Sequence, residues 1–142
     1  MKATLKLIST PSLILLLLLA TAGMVIPQER STRQMIADGQ GTIEVGREKM
    51  DLHSVIVKVM EDGQVEFILV SDITFFLKGT WVENEKGHQE IDVKITGGAT
   101  GSGVQGNGKI FLRDDGKSIS RLTLEGASNT SQRRVKVSFV AQ

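Results

Sequence analysis

The chain contains no cysteine in its 142 residues. That excludes disulfides, a thiol nucleophile, a lipid anchor on cysteine and every cysteine-based metal site. Histidine occurs only twice, as His53 and His88, so a metal centre would need acidic residues as its main ligands. Proline is absent from Gln28 onward, and no amphipathic stretch of helical length follows Asp38. Charge of one sign is lacking too: 17 basic residues stand against 16 acidic ones. A mixed, nearly neutral surface gives no argument for nucleic acid or for any strongly charged partner.

Long hydrophobic runs are confined to the beginning. Lys2 and Lys6 precede the unbroken apolar run Leu13–Ala20, and Ala20-Thr21-Ala22 supplies the small-x-small pattern of a signal-peptidase site. The run falls short of the roughly 20 residues a membrane span requires. The expectation is a cleaved export signal over 1–22, which places the protein in the periplasm or outside the cell and at most peripheral to a membrane. An exported domain without disulfides points to a bacterial source. Removing Lys2 and Lys6 leaves the charges all but balanced. What remains is one domain, long enough to bury a core unaided.

Residues 23–38 show no sustained period and read as a flexible N-terminal arm, with Arg33 to Ala37 able to form one helical turn. From 39 to 142 the chain reads as strands. Ile91, Val93 and Ile95 alternate with polar neighbours, as do Val135, Val137 and Phe139. His53, Val55, Val57 and Val59 share one face of another run, and Val65, Phe67 and Leu69 share one face of the next. Glu61-Asp62-Gly63, Glu85-Lys86-Gly87 and Asp114-Asp115-Gly116 each place a glycine where a tight reversal needs positive φ. Eight strands fit, near 40–46, 50–60, 64–70, 73–82, 89–96, 108–113, 119–126 and 132–140. Short connections force antiparallel neighbours. The expected fold is therefore all-β, a single eight-stranded antiparallel meander closing into a small barrel or barrel-like sandwich. Its interior would hold Val57, Val59, Phe67, Leu69, Phe75, Trp81, Val93, Ile95, Leu112, Leu124, Val137 and Phe139. A weak echo of the stretch ending at Gly63 in the stretch ending at Gly116, and of Leu77-Lys78-Gly79 in Leu124-Glu125-Gly126, leaves a duplication open.

The motifs that resemble chemistry fail on context. Residues 97–108 contain both G-x-G-x-x-G (Gly101 to Gly106) and G-x-x-x-x-G-K (Gly103 to Lys109). Such loops hold phosphate because they open a helix with free amides and a favourable dipole. This one runs into Lys109-Ile110-Phe111-Leu112, a strand, and Ile110 replaces the hydroxyl that would hold magnesium. It reads as a flexible connection or a glycine-softened strand. No nucleophile elbow exists, and Asp114-Asp115 belongs to a turn. Asn129-Thr130-Ser131 also reads as a turn. Arg121, Arg133, Arg134 and Lys136 could form a basic stripe or simply the outer face of the last strands. No catalytic, cofactor or metal residue is expected.

One pattern departs from an ordinary water-facing barrel. The outer face of the second to fourth strands is also apolar: Ile56, Met60, Ile68, Val70 and Phe76. These residues form the candidate interaction surface, to be covered by the arm with Met35 and Ile36, by a second copy or by a partner, unless a bulge shifts one strand.

The run Phe76-Leu77-Lys78-Gly79-Thr80-Trp81 resembles the Gly-x-Trp signature of lipocalin-like and other calycin small barrels, although Trp81 stands mid-chain and not on the first strand. The resemblance implies an eight-stranded barrel and a small apolar ligand in its interior. Three functions are thus expected, in this order. The first is a non-enzymatic exported domain binding a protein or envelope component. The second is a carrier of a small apolar ligand. The third is a protease inhibitor acting through the arm Gly23 to Asp38.

Overall fold

The computed structural model describes residues 32–84, 89–98 and 103–142. The export signal, His88, the Glu85-Lys86-Gly87 turn and residues 99–102 lie outside the described residues. The strands are β1 (Thr32–Val45), β2 (Glu48–Met60), β3 (Gln64–Val70), β4 (Thr74–Glu83), β5 (Glu90–Gly98), β6 (Val104–Leu112), β7 (Ile119–Ser128) and β8 (Arg134–Ala141). Each pairs antiparallel with the next, and β8 returns to β1 through pairs such as Ile43 with Val137, so the meander closes into a barrel. Of the two architectures open to the sequence, the barrel is the one formed. Closure leaves the sheet without an open side and turns one face of every strand inward.

Alternation decides the interior. Val55, Val57, Val65, Phe67, Ile110, Leu122 and Phe139 have no exposed surface at all. All twelve residues expected inside are buried or, for Phe75 and Trp81, packed half-buried against the core. Each large apolar side chain so buried contributes on the order of 2 kcal/mol. The turn glycines behave as their sequence requires, with φ of 85° at Gly63 and 62° at Gly116.

Two readings are corrected. Residues 32–38 are not part of an arm, and Arg33 to Ala37 form no helical turn: they extend β1 and pair with β2 from Thr32–Met60 to Asp38–Ser54. His53 does not share the face of Val55, Val57 and Val59. The β1–β2 register shifts between Asp38 and Gly41, so the inward phase of β2 moves from Leu52 to Val55 and leaves His53 exposed. Of the two readings of the glycine-rich segment, its described residues follow the glycine-softened strand: Gly97 and Gly98 end β5, and Val104 to Gly108 begin β6. Gly106 is required there by close approach: a Cβ at this position would lie 2.0 Å from the Glu125 carbonyl oxygen.

The suggested duplication finds no consistent partner strands. The turn glycines Gly63 and Gly116 join β2–β3 and β6–β7, four strands apart, whereas Gly79 and Gly126 lie on β4 and β7, three apart.

Candidate functional site

Strand register gathers the apolar residues of the outer face into one line. Ile36 on β1 pairs with Ile56 on β2, Ile56 with Ile68 on β3, and Ile68 with Phe76 on β4. Side chains directly opposite on one sheet face stand roughly 5 Å apart, so the four make a continuous row. Ile36 is 63% exposed and Phe76 48% exposed. The neighbouring row on the same face is polar, Gln34, Lys58, Glu66 and Lys78 in register. The apolar row is thus narrow and bordered by charge. Val70 stands beside it, in register with Ser54 and Thr74. Met60 does not belong to it: it lies at the far end of β2, opposite Thr32. Neither of the described residues expected to cover this surface lies over it. Met35 points into the core and Ile36 joins the row.

One barrel end opens into an apolar cavity of about 400 Å³. Its walls are Ile43, Leu69, Phe75, Leu77, Val104 and Val137, and the exposed lip carries Ile73 and Phe76. Phe76 therefore serves both the row and the cavity. The opposite lip is the β7–β8 turn, held by a dense set of hydrogen bonds. The Ser128 amide donates to the Arg133 carbonyl at 2.9 Å, and the Gln132 amide to the Ser128 carbonyl at 2.9 Å. The buried Ser128 hydroxyl lies 3.2 Å from that of Thr130 and accepts from the Ser131 amide at 3.4 Å. Asn129-Thr130-Ser131 is thus a turn, as its sequence implied. Among the described residues lining the cavity, Arg133 is the single charged one.

Trp81 packs half-buried against the core and hydrogen-bonds to the β2–β3 turn.

The outer face of β5 to β8 forms a larger open concavity of about 980 Å³, but its lining is polar and self-paired. Lys109 meets Glu90 at 3.3 Å and Asp92 at 3.6 Å, and the hydrogen bond it donates to Glu90 raises its pKa most. Lys136 meets Glu125 at 3.8 Å. Such solvent-facing pairs contribute little to stability, and they occupy Lys109 and Lys136 with carboxylates. Lys109 sits mid-strand, opposite Asp92 and Thr123, and has none of the surroundings of a phosphate-binding lysine. The basic stripe dissolves as well, since Arg121 stacks over the Phe111 ring at 4.0 Å. Asp115 accepts from the Ser118 hydroxyl and from the Lys117 and Ser118 amides at 2.5, 2.7 and 2.8 Å. These bonds, Ser118 first, hold its carboxyl down to about 2. They explain the residue as the clasp of a turn. Among the described residues no three His, Asp or Glu side chains are grouped to hold a metal ion.

Sequence reasoning missed Ile36 and the cavity. Ile36 hides because Gln34-Met35-Ile36-Ala37 places an apolar residue on both strand faces, which cancels the alternation that would reveal a strand. The cavity has no sequence signal, since these walls come from five strands.

Fold and surface together define an eight-stranded antiparallel barrel with an apolar outer row and one apolar mouth. Comparison with protein-family models, with curated proteins and with solved structures finds no match to this chain.

Proposed function

We propose that the chain is a non-enzymatic binding domain, exported to the periplasm or the cell exterior, that engages a protein or envelope component through the outer apolar row. The observation that supports this reading is the register of Ile36, Ile56, Ile68 and Phe76 across four adjacent strands. A contiguous apolar strip bordered by polar residues is the ordinary mark of an interaction surface. Sedimentation of the full chain, alone and with envelope extract from its host, tests it. Association that Ile68→Lys or Phe76→Lys abolishes supports the reading. A wild-type chain that stays monomeric and unbound, with both variants unchanged, removes it.

The mouth cavity favours a second reading, a carrier of a small apolar ligand. About 400 Å³ falls within the range of small-molecule sites. The closed barrel is compatible with a calycin-like fold, and that likeness supports a ligand within the barrel. Thermal shifts with neutral apolar compounds test it, and no shift with any of them ends it.

A further inference from the structure

The geometry points to a single-chain amphiphile with an anionic head as the occupant of the barrel mouth, its head held by Arg133; this rests on the carrier reading above. The cavity has an apolar floor, and its charged lining residue, Arg133, stands on one side of the lip. Its depth is set by Leu69, Leu77 and Val137, and below them the fully buried Phe67 and Phe139 stop any deeper entry. Room of about 400 Å³ suits one flexible chain and excludes a bulky two-chain lipid.

The sign of the head follows from the lip. Thr130, Ser131 and Arg133 line it, and among the described residues that line the cavity none is acidic. Among the described residues Arg133 has no ion-pair partner, although the three salt-bridged lysines all find carboxylates. Its stem is nevertheless placed: Cγ and Cδ of Arg133 lie 3.6 Å from where a Cβ on Gly46 would sit. Gly46 has φ of 64°, and its amide donates to the Arg134 carbonyl at 2.8 Å, which ties the β1–β2 turn to β8 beside Arg133. A guanidinium so carried offers a carboxylate or phosphate two parallel donors. The hydroxyls of Thr130 and Ser131 add neutral donors at the same lip. An apolar wall opposite, ending in exposed Ile73 and Phe76, gives the chain its entry.

Calorimetric titration of the full chain with decanoate, decanol and decyltrimethylammonium tests this. Decanoate is expected to bind about tenfold tighter than decanol, and decyltrimethylammonium weakest. Arg133→Gln is expected to bring decanoate down to the affinity of decanol and to leave decanol unchanged. Val135→Phe, which narrows the mouth from a half-buried position, should weaken both by a similar factor, with circular dichroism verifying the fold. Equal binding of decanoate and decanol, untouched by Arg133→Gln, overturns the assignment of the head while the carrier reading stands. Binding of none of the three overturns both.

Discussion

The indole N–H of Trp81 donates to the carbonyl oxygen of Met60 at 2.8 Å, joining β4 to the end of β2. The Trp81 backbone amide donates at 2.9 Å to Gly63, in the turn that follows Met60. One residue thus ties the β2–β3 connection twice at the barrel end opposite the mouth. Trp81→Phe keeps the ring packing and the backbone bond but loses the indole donor. The Met60 carbonyl still accepts from the Gly63 amide at 3.1 Å, so it is not orphaned. The expected loss is about 1 kcal/mol in urea unfolding followed by circular dichroism. A loss no greater than experimental error would show that the hydrogen bond contributes nothing.

Gly106 and Gly97 separate strand from connection in the glycine-rich segment. A Cβ at Gly106 would meet backbone, the Glu125 carbonyl oxygen at 2.0 Å and the Gly126 Cα at 2.5 Å. At Gly97 it would meet the flexible Lys78 stem at 3.3 Å. Gly106→Ala is therefore expected to destabilise by about 3 kcal/mol or more, and Gly97→Ala by less than about 1 kcal/mol. Equal, small effects in denaturant unfolding would show that β6 does not approach β7 so closely.

Asp115 sets a pH dependence at the β6–β7 turn. Its carboxyl titrates near 2 in the folded chain against an ordinary 3.8. A depressed folded value means the contribution is complete above about pH 4 and disappears as pH falls toward 2. The Asp115→Asn variant should lack this part of the acid response. NMR titration of the Asp115 carboxyl reads it directly, and a midpoint at the ordinary value would refute the clasp.

Lys109 tests the nucleotide reading. Its two carboxylate partners are exposed and lie on the neighbouring strand, so Lys109→Ala should leave the melting temperature unchanged. ATP, GTP and NAD should shift neither protein. A nucleotide-dependent stabilisation that Lys109→Ala abolishes would be incompatible with the binding-domain proposal.

Period-two alternation in Val65-Phe67-Leu69, Ile91-Val93-Ile95 and Val135-Val137-Phe139, together with the turn glycines, was enough to give eight strands, their antiparallel order and part of the core, whereas the buried Ile43, Leu52, Ile110, Ile119 and Leu122 were not among the residues expected inside. Alternation and turn glycines are local features, and each depends only on residues a few positions apart. Ile56, Ile68 and Phe76 were likewise legible as an apolar outer face, because alternation fails on strands whose inner face is already known. What tertiary structure alone decided depends on register between strands distant in sequence. Register brought Ile36 into line with Phe76, set Met60 apart from that line, and turned His53 outward at the β1–β2 bulge. Closure of β8 onto β1 brought Ile43 opposite Val137, and with it formed the mouth where Arg133 stands beside Gly46. No local pattern encodes such neighbours, since they follow from how eight strands tilt, stagger and close.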